Sequence, residues 1–138
     1  MDTYRVVLAD DQKYLRTIIR KILSTKQEYE VVGEAEDGAS LIDLLEHSSP
    51  LPEMVILDIS MPGMHGIEAA GKIHSSFPDV KVLFLTVHRE QGFVNQAFAA
   101  GADGYLLKDE ADTEIFKAIR AIRHGRTYRS PKLPAPAA

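Results

Sequence analysis

The sequence predicts an α/β protein: a doubly wound, five-stranded parallel sheet of order 2-1-3-4-5 with helices on both faces. Three observations carry this. Short apolar runs alternate with stretches of helical periodicity, the pattern that builds parallel sheets through right-handed crossovers. One run, Met54, Val55, Ile56 and Leu57, is apolar throughout with two β-branched members, as in a strand covered on both faces, and it ends in Asp58 and the turn residues Met61, Pro62 and Gly63. An acidic pair, Asp10 and Asp11, directly follows the first run. If the chain reverses direction after strand one, strands one and three lie side by side, and their carboxyl ends form the crevice where open α/β sheets bind ligands.

The first strand is residues 5–9. Leu15, Ile18, Ile19, Ile22 and Leu23 then recur at i, i+3, i+4, i+7 and i+8 as one apolar helix face, with Lys13, Arg16, Arg20 and Lys21 elsewhere on its surface. Residues 30–35 form a second strand whose flanking acids suit a sheet edge. Leu41, Leu44 and Leu45 mark the second helix, and Ser48, Ser49, Pro50, Leu51 and Pro52 break the chain before the central strand. Ile67, Ala70 and Ile73 anchor a third helix, closed by Phe77, Pro78 and Asp79. Residues 80–85 are the fourth strand, running into Thr86. Residues 91–100 read as a weakly patterned helix, with Gly92 early and Ala97, Ala99 and Ala100 later; such a helix buries little and shifts easily. Strand five is Tyr105, Leu106 and Leu107, ending at Lys108. The last helix carries Ile115, Ile119 and Ile122, takes its cap from Asp109 or Asp112, and stops at Gly125.

With 138 residues, 45% of them hydrophobic, the chain is expected to hold one domain, residues 1–125. Residues 126–138, with Pro131, Pro134 and Pro136 among Ala, Ser and Lys, read as a linker or tail. The absence of cysteine excludes disulfides, thiolate metal sites and Cys nucleophiles. The amino terminus enters strand one without a signal-peptide core, and no run is long enough to span a bilayer, so a cytoplasmic protein without membrane partners is expected. A net charge of −4 argues against direct grip on nucleic acid, which needs a basic face.

On this topology Asp10, Asp11 and Asp58 meet in one cleft, and Thr86 and Lys108, ending strands four and five, reach the same rim. Each like-charged pair at about 4 Å costs roughly 1 kcal/mol in water and roughly 4 at an effective dielectric of 20, more than one lysine offsets for three such pairs. A divalent cation is implied, and an oxygen-only, partly open ligand set favours Mg2+. An aspartate beside Mg2+, with a lysine and a hydroxyl at hand, is equipped to attack a phosphoryl group and form an acyl phosphate. Singly, these residues have blander readings: a strand-end aspartate is more often a helix cap, Thr86 an ordinary strand terminus, and Tyr105 an edge-strand aromatic with a hydrated hydroxyl. Their joint placement favours the site. His47, His65, His74, His88 and His124 lack metal-ligand spacing, and only His88 falls near the rim.

Together, Asp10, Asp11, Asp58, Thr86 and Lys108, with Tyr105 and the Met61, Pro62, Gly63 turn, resemble the receiver domain of bacterial two-component response regulators, a flavodoxin-like fold, over about residues 4–125. The resemblance implies that Asp58 is a phosphoacceptor charged by a histidine kinase or phosphotransfer protein. It also implies that Asp10, Asp11, Asp58 and the backbone carbonyl of Ile59 bind Mg2+, that Lys108 and Thr86 serve the reaction, and that Thr86 and Tyr105 form a switch pair. The domain would then be a signalling module and not an enzyme, with a homodimer on phosphorylation as one outcome. The segments Val31-Val32-Gly33-Glu34-Ala35, Leu106-Leu107-Lys108-Asp109 and Gly125-Arg126-Thr127-Tyr128 look most like the subgroup whose receivers precede a LuxR-type helix-turn-helix. Transcription regulation through a DNA-binding output domain that this chain does not contain is therefore expected, with a stand-alone receiver acting by protein contact as the alternative.

Two departures stand out. Asp109 occupies the place after the lysine where many receivers have proline, and Ser60 and His88 lie two residues past Asp58 and Thr86, positions that in the family modulate acyl phosphate hydrolysis. Rival readings fit less well. A haloacid-dehalogenase-type phosphatase would carry a second Asp where Ser60 stands and need a longer chain, and a flavodoxin-like electron carrier would have a hydroxyl- and amide-rich loop in place of Asp10 and Asp11. A degenerate interaction module would lack one of the five site residues.

Overall fold

The computed structural model describes residues 2–134; Met1 and the end of the predicted tail, Pro136 included, lie outside them. Strands β1 (Tyr4–Ala9), β2 (Tyr29–Ala35), β3 (Met54–Leu57), β4 (Lys81–Thr86), β5 (Gly104–Leu107) and β6 (Tyr128–Arg129) form one sheet of order β2-β1-β3-β4-β5-β6. Every neighbouring pair is parallel. Between them run α1 (Lys13–Leu23), α2 (Gly38–Glu46), α3 (Gly66–Ser76), α4 (Gln91–Ala99) and α5 (Ala111–Arg123). The order of the first five strands is the one expected. None of the helices among the described residues is long and apolar enough to cross a membrane.

Strand side chains alternate between two cores. On one face Val7, Ala9, Val55, Leu57, Val82 and Phe84 pack with residues of α2, α3 and α4, among them Leu41, Leu45, Ile73 and Val94. On the other, Val6, Leu8, Met54, Ile56, Leu83 and Leu106 pack with Ile19 and Leu23 of α1 and Ile115, Ile119 and Ile122 of α5. Because β3 is buried on both faces, its sequence shows no polar alternation. The weakly patterned α4 is held by two fully enclosed residues, Val94 and Ala97.

Two features differ from the sequence reading. Neither Asp109 nor Asp112 caps α5. A 3₁₀ turn, Lys108–Glu110, intervenes; Asp109 is ion-paired with Arg89, and Asp112 lies in the first helical turn, where its charge complements the dipole. The bond between Lys108 and Asp109 is trans, since Ser49-Pro50 is the only cis peptide among the described residues. The second difference is β6, which lies in the segment read as linker or tail. Tyr128 and Arg129 pair with Gly104 and Tyr105, Ser130 N–H donates to Tyr105 O, and Leu133 is buried against the core. A two-residue strand followed by Pro131 is too short to display a period of two, and so escapes pattern reading. It leaves β5 an interior strand.

The end of β3 is fixed by α3. Gly66, the first residue of that helix, donates its N–H to Ile59 O at 2.8 Å, and a Cβ on it would lie 1.9 Å from the Asp58 carbonyl oxygen. Backbone can approach this closely only where no side chain intervenes. Gly66→Ala is expected to destabilise the domain by about 3 kcal/mol or more, read as a lowered urea midpoint. A loss of less than about 1 kcal/mol would mean that α3 can lift from β3 without consequence.

Candidate functional site

The site is a product of strand register. Ala9 pairs with Leu57, Leu57 with Phe84, and Phe84 with Tyr105, so the residues that follow β1, β3 and β5 emerge along one rim. Asp10 and Asp58 are each only 5% exposed, whereas Asp11 faces solvent. One carboxylate oxygen from each of the three lies within 4.8 Å of the others.

Lys108 bridges the two buried acids, its Nζ 2.9 Å from Asp58 Oδ2 and 3.1 Å from Asp10 Oδ2. Backbone donors hold the remaining oxygens: Ile59 N–H donates to Asp58 Oδ1 at 2.7 Å and Gln12 N–H to Asp10 Oδ1 at 2.8 Å. Burial raises the Asp10 pKa above its ordinary value against the pull of Gln12 N–H and Lys108, and the Asp58 charge adds to the rise. Burial acts to lower the Lys108 pKa, but its bonds to Asp58 and Asp10 prevail and raise it, so the ammonium stays charged. One cation among three carboxylates leaves excess negative charge, and clustered oxygen donors of this kind suit Mg2+.

The predicted switch residues sit beside this cluster. Thr86 is wholly buried, and its Oγ1 accepts from His88 N–H at 3.3 Å. The Tyr105 ring is also fully enclosed, packed on Phe84, and its hydroxyl donates to His88 O at 2.8 Å. Burial, with Glu90 and Asp58 nearby, raises the Tyr105 pKa, which keeps the phenol a donor. Tyr105 is thus neither at an edge nor dependent on water for its hydroxyl. His88, the one histidine expected near the rim, also meets Ser60 Oγ at 2.7 Å through Nε2 and lies over Phe93.

Residues 6–120 match the family model described as response regulator receiver domain. The chain belongs to the response regulator receiver family. Its relatives include the transcriptional regulatory protein DegU of Brevibacillus brevis, 34% identical over 94% of this chain and 54% of that protein. The oxygen regulatory protein NreC of Staphylococcus epidermidis is 39% identical over 94% of this chain and 59% of its own length. The crystal structure of a LuxR-family two-component response regulator from Aurantimonas sp. superposes with a TM-score of 0.89 at 34% identity, covering 96% of this chain and 93% of that one. The receiver therefore spans little more than half the length of the curated relatives it matches. It is a phosphoacceptor signalling module and not an enzyme.

One residue beside the site was not singled out by sequence reasoning. Arg16, read as part of the outer basic surface of α1, has its side chain only 11% exposed; its guanidinium donates to the Asp10 carbonyl and, through Nε, to Glu34 Oε1 at 2.8 Å. Arg20 pairs with the same carboxylate. The signal was Glu34, an acid inside the Val31–Ala35 segment, which needed the β1–β2 pairing to be connected with α1.

The fold raises the Asp10 pKa, so the folded receiver holds that proton more tightly than the unfolded chain does. The stability linked to it is present below the ordinary carboxylate range and lost as pH rises through the raised value. In metal-free protein, Asp10→Asn is expected to raise Tm at neutral pH by about 2–6 °C, with the gain fading as the wild type takes up its proton in acid. Calorimetry in chelator at the two pH values checks this, and an equal gain at both would remove the Asp10 charge as its cause.

Proposed function

We propose that Asp58 accepts the phosphoryl group of a histidine kinase or phosphotransfer protein in the cytoplasm, and that the domain then controls transcription through a DNA-binding region outside this chain. The observation that carries the reading is the Lys108 ammonium 2.9 Å from Asp58 Oδ2 beside two further carboxylates. Asp58 is an anionic nucleophile on a rigid strand end, and Lys108 is a fixed cation for a phosphoryl oxygen. In the transfer an Asp58 oxygen bonds to phosphorus as the phosphorus–nitrogen bond of the phosphohistidine breaks, the imidazole leaving with the electron pair. The product is an acyl phosphate. Asp10, Asp11 and Asp58 would hold Mg2+, which would supply charge neutralisation for the transferred group. The Ile59 carbonyl accepts one hydrogen bond, from Gly66 N–H, and its second lone pair would join the carboxylates in the ligand set.

The same geometry supports a switch. Thr86 accepts from His88 N–H, which leaves its own proton for a phosphoryl oxygen. His88 also accepts the Tyr105 hydroxyl, so a pull on Thr86 reaches Tyr105 and the start of α4 through a single residue. A charge-assisted hydrogen bond worth about 1.5–3 kcal/mol shifts a two-state ratio roughly ten- to a hundredfold. Transcriptional control is supported by relatives named as transcriptional regulators, of which this chain spans only part.

Asp58→Asn is expected to abolish covalent labelling by acetyl phosphate while the melting transition persists; labelling that survives would move the acceptor elsewhere. Thr86→Ala should still be labelled, yet lose the change in amide exchange that beryllofluoride produces in α4 and β5 of the wild type. An equal response in both proteins would take the Thr86 hydroxyl out of the switch.

A further inference from the structure

The lysine at the site has no neighbouring proline to shape its turn, and the structure holds that turn by another means. Ser130, 2% exposed, comes from the segment after α5. Its hydroxyl donates to Glu110 Oε1 at 2.6 Å and accepts from Leu107 N–H at 3.1 Å. Leu107 and Glu110 are the residues on either side of Lys108 and Asp109, so one buried hydroxyl joins both ends of the turn that presents Lys108 to Asp58. Glu110, 7% exposed, receives a second bond from Lys132 N–H at 3.1 Å. A carboxylate this enclosed is tolerated because donors meet it, and those donors all come from the segment after α5. Asp109, between them, is tied to Arg89 and lies 3.8 Å from Lys132 Nζ.

We propose that Ser130 and Glu110 are positioning residues for Lys108. This rests on the reading that Lys108 binds phosphoryl oxygens at Asp58. Deleting the hydroxyl frees Leu107 N–H and leaves the Glu110 carboxylate short of a donor, so the turn can re-form with the ammonium displaced. Displacements of the order of 1 Å at a reacting centre carry rate losses that reach a hundredfold. A bond whose only work was to stabilise the domain would lower labelling through the unfolded fraction alone, whatever residue stood at position 108.

The test is a double-mutant cycle on the rate of Asp58 labelling by acetyl phosphate, with each protein shown by melting to be folded at the assay temperature. Ser130→Ala is expected to slow labelling about tenfold and to hasten exchange of the Leu107 amide. In the Lys108→Ala background the same substitution should cost nothing further. Glu110→Gln, which keeps the acceptor oxygen, should label at close to the wild-type rate. Equal losses from Ser130→Ala in both backgrounds, or wild-type labelling by a Ser130→Ala protein whose Leu107 amide is freed, overturn the proposal. A Lys108→Ala protein that labels at the wild-type rate would instead overturn the role of Lys108 itself. Should Ser130→Ala fail to fold, wild type alone decides: beryllofluoride at Asp58 is expected to slow exchange of the Leu107 and Lys132 amides, and their indifference to it rejects the coupling.

Discussion

Three carboxylates and one ammonium share the end of the sheet, and the rest of the structure can be understood as what it takes to keep them there. At separations near 4 Å each like-charged pair opposes folding by roughly 1 kcal/mol in water and up to about 4 where solvent is partly excluded. A loop would relax that by moving apart. Here Asp10 and Asp58 directly follow strands whose last residues, Ala9 and Leu57, are enclosed and paired with each other. Lys108 bridges the two buried acids, and backbone N–H groups hold their other oxygens. The negative charge that remains suits the cluster to a divalent cation.

The surroundings show how the constraint spreads. Arg16 and Glu34 fasten the loop that carries Asp10 and Asp11 to α1 and the β2 edge. Gly66 brings the start of α3 directly onto the Asp58 backbone. On the other side, Thr86 and Tyr105 do not touch each other through a hydrogen bond but meet at opposite ends of His88. Two differently connected halves of the rim therefore flank the same carboxylate, with α4 joined to the His88 side through enclosed Val94 and Ala97 and partly buried Phe93 and Phe98.

Much of this was legible in the sequence because it depended on local pattern. Fully apolar runs such as 54–57 announce interior strands, and the residues that end them, Asp10, Asp58, Thr86 and Lys108, are then placed by topology alone. What stayed hidden depended on partners distant in the chain. Arg16 looked like a surface cation because its acceptors lie on another loop and another strand. Gly66 carried no signal beyond its helix, since the obstacle is the backbone of Asp58. The prolines after Gly125 suggested linker, whereas Ser130, the residue before Pro131, is buried by contact with Leu107 and Glu110. The cap of α5 was misplaced for a related reason: the acids at 109 and 112 suit a helix start, but the turn before it is governed by the tail.

The direction of β6 matters for more than the completion of the sheet. α5 carries the chain away from the Asp58 rim, and the parallel β6 carries it back, so that Ser130 and Lys132 lie against Glu110 in the turn that carries Lys108. Anything covalently joined after this segment is tethered to backbone that touches the Lys108 turn. Short leashes hold two bodies together at local concentrations of about millimolar. An encounter too feeble to occur between separate molecules would be well populated under such confinement, and a modest change at the rim would be enough to make or dissolve it.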